Sequence, residues 1–357
     1  MRRACSQNRP TNLQEKATGR NACVRRRTSD TTRFAMLCFL ATLTICGTAN
    51  PAAAQNVATQ AGQSAASGNN WFVQADALFL ERSNASDEIL VSTGGDSGFP
   101  QPVVTIDDLG TDFESGLRLS VGRLVNSDQS LEVAYFGLQS WGAEFTVSDP
   151  PPDTETLFGG EFTVAHFVTR SELHNAEINL RRHVFPSGRF SAATLVGVRY
   201  LSFKDRFVVS QDLVDTMDSA GFRLFDINAD NDLIGAQLGG DFLFSVTRRL
   251  RFGASGKAGL LLNLADLETI IDSRDIGTII VGDSNERLAG IVEVGLTATW
   301  QVTPNLAVRG GYQVIYVGGL ALAPENYDPL SLVLDPHLKD NGDLVLDGPS
   351  AGLEAAW

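Results

Sequence analysis

Period-two alternation constrains this chain more than any motif in it. From Trp71 the run WFVQADALFLER puts Trp71, Val73, Ala75, Ala77 and Phe79 on one face and Gln74 and Asp76 on the other. A side chain that changes face at every residue belongs to an extended strand. Nine further stretches read similarly, at about 113–125, 130–147, 171–184, 190–202, 232–246, 251–265, 287–301, 306–317 and 344–357. Each exceeds the roughly 9–11 residues a tilted strand needs to cross a bilayer.

The connections carry more information than the strands. NSDQ, FPSGR, TRRL and VTPN are four short turns, and they alternate with five long segments at 84–112, 148–170, 203–231, 266–286 and 318–343. Short turns at one end and long loops at the other are the pattern of a transmembrane barrel. With both termini on the short-turn side the strand number is even, and the expectation is an all-β, antiparallel transmembrane barrel of about 10 strands (8–12). Charge follows the same division: the five long segments hold 27 acidic and 6 basic residues, and the rest of the chain from residue 55 on holds 13 of each.

The N-terminal end sets the compartment. Phe34–Cys46 is an apolar run preceded by Arg25, Arg26, Arg27 and Arg33 and followed by Ala52-Ala53-Ala54. This is the layout of a secretory signal peptide, and the run is too short to span a bilayer as a helix. The basic lead is long, as a start assigned too early would make it, and a buried core helix is the competing reading. Residues 1–54 are therefore expected to be cleaved, 55–70 to form a small, polar, flexible lead-in, and 71–357 to form the barrel. All four cysteines precede the cleavage point, so disulfides and thiol chemistry are not expected afterwards. Lipidation at Cys46 is disfavoured by Ile45 before it. The processed chain carries a net charge of −21, which argues against a nucleic-acid partner.

Alternation alone does not separate a barrel from a β-sandwich, whose strands also alternate. The ordered connections, the leader and the C-terminus favour the barrel. Trp71, Trp300 and Trp357 sit at the short-turn ends, with Phe190 and Phe252 nearby, and Trp141, Tyr200 and Tyr316 lie toward the other end. Two aromatic girdles are expected. Ser350, Gly352, Ala355 and Trp357 resemble the terminal-strand signal by which bacterial outer-membrane barrels are recognised for insertion. WFVQADALFLER, SELHNAEINLRR from Ser171, NDLIGAQLGGD from Asn231 and the terminal GLEAAW resemble the β-barrel porin family of planctomycetes across about residues 70–357. That resemblance implies an outer-membrane barrel with no catalytic residues and no defined substrate.

The inner face of the expected barrel carries Asp76, Arg118, Glu132, Glu177, Arg181, Arg199, Asp241, Lys257, Glu293, Arg309 and Glu354. Two readings stay open. Alternating charges on neighbouring strands can pair and plug a narrow barrel, or they can line a narrow polar pore. The function expected is a structural role or passive passage of small solutes in the cell outer membrane. The alternative is a surface protein whose acidic loops bind a partner or divalent cations. Expected partners are outer-membrane lipid, the barrel-insertion machinery and small solutes.

Other chemistry finds little support. Asp226, Asn228, Asp230 and Asp232 begin like a calcium loop, but Asn231 and Gln237 stand where Gly and Glu are needed. Loose Ca2+ binding by the acidic loops is the remaining cofactor expectation. Ser171 and His174 lie on opposite faces of one strand, GDSN at Gly282–Asn285 reads as an acidic surface loop, and GASGK at Gly253–Lys257 lacks phosphate-loop spacing. No enzyme is expected.

Overall fold

The computed structural model describes residues 25–27, 71–84, 89–94, 100–105, 113–148, 150, 154–156, 162–184, 189–213, 221–274, 277–327 and 338–357. The expected leader and lead-in lie outside these residues except for Arg25–Arg27. That segment (β1) pairs with Glu144–Thr146.

Ten strands close into one antiparallel barrel. They are β2 (Trp71–Asn84), β5 (Glu114–Leu124), β6 (Gln129–Ser148), β8 (Phe162–His183), β9 (Phe190–Leu213), β10 (Gly221–Ser245), β11 (Leu250–Ser273), β12 (Gly277–Thr303), β13 (Leu306–Leu320) and β14 (Gly342–Ala356). Each pairs with its sequence neighbour, and β14 pairs with β2 to complete the ring. At that seam Trp71 N–H donates to the Trp357 carbonyl and Trp357 N–H to the Trp71 carbonyl, both at 3.1 Å. Three short strands, β3 (Ile89–Gly94), β4 (Pro100–Thr105) and β7 (Thr154–Thr156), form a separate small sheet.

The strand ends at the short turns lie within a residue or two of the sequence expectation. The outer ends run much further. Much of 148–170, 203–231 and 266–286, read above as loop, lies in strands of 22 to 27 residues. A strand of 25 residues is about 80 Å long at ~3.3 Å per residue. Tilted, it stands well clear of an apolar band about 25 Å tall.

The outer portion escaped the sequence reading because its polarity is inverted while its parity is not. On β10, Phe225, Ile227, Ala229, Asn231, Leu233 and Gln237 point inward and are buried. The outward residues of the same strand are Asp226, Asn228, Asp230 and Asp232, and then Ile234 and Leu238, which are 58% and 67% exposed. The outer face thus changes from polar to apolar between Asp232 and Ile234. An exposed apolar face is costly in water and favourable against lipid. The belt continues through Val196, Val198, Leu260, Leu262, Leu288, Val294 and Leu296. The calcium-like alternation of Asp226 to Asp232 is the water-facing side of a strand beyond the membrane.

Aromatic residues mark both borders. Trp71, Phe190, Phe252, Trp300 and Trp357 are exposed at the short-turn end. At the other border Tyr200 donates to Asp232 at 2.7 Å and Tyr312 to Asp347. The phenol tip of each meets an acid at the water side. Trp141 does not join this girdle. A bulge between Leu138 and Trp141 shifts the register against β8 and reverses the faces of β6 beyond it. Trp141 therefore points inward, is fully buried, and donates from Nε1 to the Leu80 carbonyl at 3.2 Å.

Candidate functional site in the lumen

Inward side chains fill the barrel in layers, and the charged layer is nearest the short turns. The structure puts all eleven sequence-nominated residues on the inner face. It pairs them by chords across the lumen as well as between neighbouring strands. Glu177 and Arg199 are direct neighbours and pair, and so are Lys257 and Glu293, at 3.6 Å. Arg199 also reaches Glu293 at 2.7 Å, Lys257 reaches Glu177 at 3.0 Å, and Arg118 crosses to Glu293 at 3.1 Å. Arg181 binds Glu132 at 3.1 Å and also Asp241.

Arg309 and Asp76 show how sequence permits a chord. Register aligns Arg309, Gly352 and Asp76 on three adjacent strands. Gly352 offers no Cβ, so Arg309 Nε passes over it to Asp76 Oδ1 at 3.3 Å. A Cβ at Gly352 would collide with Asp76 and the Ala75 carbonyl. Gly352 of the expected insertion signal faces the lumen with Ser350, while Ala355 and Trp357 face outward.

Arg251 was missed. It is inward, 5% exposed, and pairs with Glu354 at 3.5 Å. Its place beside the TRRL turn disguised it. Continuing the inward parity of β11 back from Lys257 through Ser255 and Gly253 would have found it. With Arg251 the charges of this layer balance, six acidic and six basic. A chamber of about 200 Å³ remains at this end, lined by residues such as Glu132, Arg181, Asp241, Arg251, Lys257 and Glu354.

Above the charges lies an apolar layer with Leu78, Leu80, Phe136, Leu138, Leu173, Leu201, Phe203, Leu233, Ile291 and Ile315, all at most 2% exposed. Next comes a polar clamp. Arg82 binds Asp205 at 2.7 and 3.1 Å, and Ser171 donates to Asp205 at 2.7 Å. Above it is a second apolar cluster that includes Phe145, Phe167, Phe207, Phe225, Ile227 and Leu267, with Leu90 and Val91 of the small sheet.

The clamp holds a piece of chain inside the barrel. Gly319, at φ 88°, turns the backbone inward at the end of β13, a conformation that costs glycine little. Its carbonyl accepts from Asn263 at 3.0 Å. Asn231 accepts from Ala321 N–H at 2.7 Å and donates to the Ala321 carbonyl at 2.8 Å. Ala323 N–H donates to Asp205 at 3.1 Å. Ala321, Leu322, Ala323 and Tyr327 are buried, and Tyr327 meets Phe207 and Phe225 edge-on at centroid distances of 5.5 and 6.0 Å. Burial pushes the Tyr327 phenol well above its ordinary value, so it stays neutral. No local signal marks this insertion: Leu320-Ala321-Leu322-Ala323-Pro324 has no polar–apolar alternation, and Asp205 and Asn231 fall within the segment 203–231 expected as loop.

Three of the four histidines are described, and none faces a nucleophile with an acid behind it. His174 Nδ1 meets Tyr135 at 2.8 Å and His166 Nδ1 meets Thr146 at 2.9 Å, both on the outer face. His183 lies at the short-turn end of β8.

No protein-family model matches the chain, and no curated protein matches it. Among solved structures it is similar to the outer membrane protease OmpT from Escherichia coli, at 12% identity over 81% of this chain and 97% of that chain, with a TM-score of 0.47. It is similar also to the translocator domain of the autotransporter NalP from Neisseria meningitidis, at 10% identity over 84% and 99%, TM-score 0.36. A third is Neisserial surface protein A, at 13% over 80% and 97%, TM-score 0.27. Closed ring, outward apolar belt and paired aromatic borders together make the fold of this chain that of an outer-membrane β-barrel.

Proposed function

We propose that the protein is a closed barrel of the cell outer membrane that works through its extramembrane wall rather than by conduction. One observation carries this reading: the lumen is occupied at successive levels by paired charges, an apolar layer, the clamped 319–327 segment and a second apolar cluster. Passive passage of small solutes would need the inserted segment and the leucine and phenylalanine side chains beneath it to move aside together. Planar-bilayer recording of the purified protein tests the proposal. No conductance steps above background are expected, and reproducible steps would overturn it and return the porin reading.

The resemblance to the β-barrel porin family of planctomycetes is compatible with this architecture and adds no solute. Ser171 is buried against Arg82 and Asp205, and its hydroxyl is engaged in the clamp. The outward pair Ala355 and Trp357 suits recognition by the barrel-insertion machinery. Acid-rich outer segments suit loose divalent-cation binding, and calorimetric titration with calcium reads that directly.

A further inference from the structure

The two aromatic borders carry opposite charge. At the outer one the tyrosines meet acids, Tyr200 with Asp232 and Tyr312 with Asp347. At the short-turn border the exposed charged residues are Arg123, Arg182, Arg189, Arg248 and Arg249. Asp128 is the only acidic residue in the four short turns.

These arginines continue the lipid-facing belt. Val121 is followed two residues on by Arg123, Leu180 by Arg182 and Val246 by Arg248, and the three apolar residues are all exposed. On β5 and β8 the strand period keeps both members of the pair on the outward face. Two residues are about 7 Å along the strand at ~3.3 Å per residue, and the polar layer flanking the hydrocarbon is roughly 5–7 Å thick on each side. Arg123 pairs across from Trp71, and its guanidinium stands over the exposed indole at 5.4 Å, which holds it at the aromatic border. Arg189 precedes Phe190, and its carbonyl accepts from Ser245 N–H at 2.8 Å, beside the strand end that leads to Arg248 and Arg249.

Little of this charge is neutralised within the chain. Arg182 Nε stands 3.5 Å from Asp128, with side chains 69% and 43% exposed. Arg123, Arg189, Arg248 and Arg249 make no ion pair among the described residues. We infer that the arc from β5 to the β10–β11 turn is a docking surface for anionic phospholipid in the leaflet on the short-turn side, which in an outer-membrane barrel faces the periplasm. The lipid phosphates lie against Arg182, Arg189 and Arg248, since a guanidinium can donate two parallel hydrogen bonds to a phosphate. The acyl chains run along the belt past Leu180, Val196 and Phe242. Clustered basic residues at a membrane surface attract anionic lipid, whereas a zwitterionic headgroup brings its own cation. A soluble acidic polymer would approach along the barrel axis, but Arg123 and Arg182 lie on the side wall, in line with the belt.

The test is native mass spectrometry of the barrel extracted from vesicles of equal parts phosphatidylglycerol, phosphatidylethanolamine and phosphatidylcholine. Phosphatidylglycerol should be retained about tenfold over phosphatidylcholine, a ratio that corresponds to about 1.4 kcal/mol. The preference should shrink when the vesicles are equilibrated at high salt, which screens exposed charges. R182Q/R189Q/R248Q should bring phosphatidylglycerol down to the level of phosphatidylcholine. R170Q/R206Q removes a cross-strand basic pair on the outer wall, six residues beyond Tyr200 on β9, and should leave the preference intact. Each variant is first shown to be folded by a heat-modifiable gel band. Equal retention of the three lipids would overturn the assignment, as would unchanged preference in the triple variant or its loss in R170Q/R206Q. Displacement of phosphatidylglycerol by soluble glycerol phosphate or by poly-L-glutamate would overturn the membrane source, the first in favour of free phosphate and the second of an acidic polymer.

Discussion

Glu293→Gln is the sharpest test of the charged layer. Glu293 is 6% exposed and faces three cations, Arg199 at 2.7 Å, Arg118 at 3.1 Å and Lys257 at 3.6 Å. Glu177 shares Arg199 and Lys257. The cluster therefore holds three positive and two negative charges, and the substitution leaves three cations around one carboxylate with almost no change in volume. Breaking a buried pair from one side costs about 3–5 kcal/mol. The lower end is expected, because the Arg118 side chain is 21% exposed and borders the chamber. Lys257→Gln alone should cost less, since Glu177 keeps Arg199 and Glu293 keeps Arg118 and Arg199. K257Q/E293Q restores the wild-type net charge of the cluster, so it should be more stable than the sum of the single losses by about 1–2 kcal/mol. Equilibrium unfolding in urea, followed by tryptophan fluorescence and by the heat-modifiable band, measures these differences. A Glu293→Gln loss within ~1 kcal/mol of zero, or strict additivity in the double variant, would refute the idea that these charges hold one another in the lumen.

Three other expectations follow from the same geometry. Leu238→Arg, on the lipid face and 67% exposed, should cost about 2–4 kcal/mol, whereas Asn228→Arg on the same face of the same strand should be within ~0.5 kcal/mol of neutral; equal costs in bilayer unfolding would misplace the membrane border. Tyr327→Ala removes the aromatic anchor of the inserted segment and should cost about 3–5 kcal/mol locally; limited proteolysis should then cut within 319–340 while the barrel stays intact, and unchanged resistance would mean the clamp alone suffices. Gly352→Ala should destabilise the folded barrel by about 1–3 kcal/mol through Asp76 and Arg309; if it lowers only the insertion yield and leaves unfolding unchanged, Gly352 belongs to the insertion signal and not to the lumen.

Much of the fold was legible because a strand has a period that the chain cannot hide. Trp71 to Phe79, Ile234 to Phe244 and Leu288 to Trp300 alternate against lipid, and four short turns punctuate them. The eleven inward charges followed from parity alone. The losses have specific causes. Trp141 went to the wrong face because one bulge in β6 reverses parity, and no residue type marks a bulge. Arg251 was hidden by its neighbourhood in TRRL. The outer halves of β8 to β11 resemble loops in sequence because their outward positions are acidic, and the strand signal lies only in the apolar residues between those acids. In FKDRFVV the residues Phe203, Asp205, Phe207 and Val209 share one face, which is a strand signal with its apolar side turned inward. The 319–327 segment was illegible for a different reason. Its conformation is set by Asp205, Asn231 and Asn263, 56 to 118 positions away, and nothing local encodes it.

The inversion of polarity along one strand bears on function as well as on fold. A barrel in lipid can leave its interior polar, because the bilayer supplies the apolar environment that its outer face needs. Once the strands continue into water that support ends, and the wall must bury apolar area on its own inner side to stay ordered. Phe145, Phe167, Phe207, Phe225 and Leu267 do this, and the inserted segment and the small sheet complete the cluster. The same requirement closes the lumen: an extended wall with a core is a solid object. A chain built for passage has reason to keep its strands within the membrane and its mouth wet. A chain that presents a surface above the membrane has reason to lengthen and fill them, as this one does from β8 to β12.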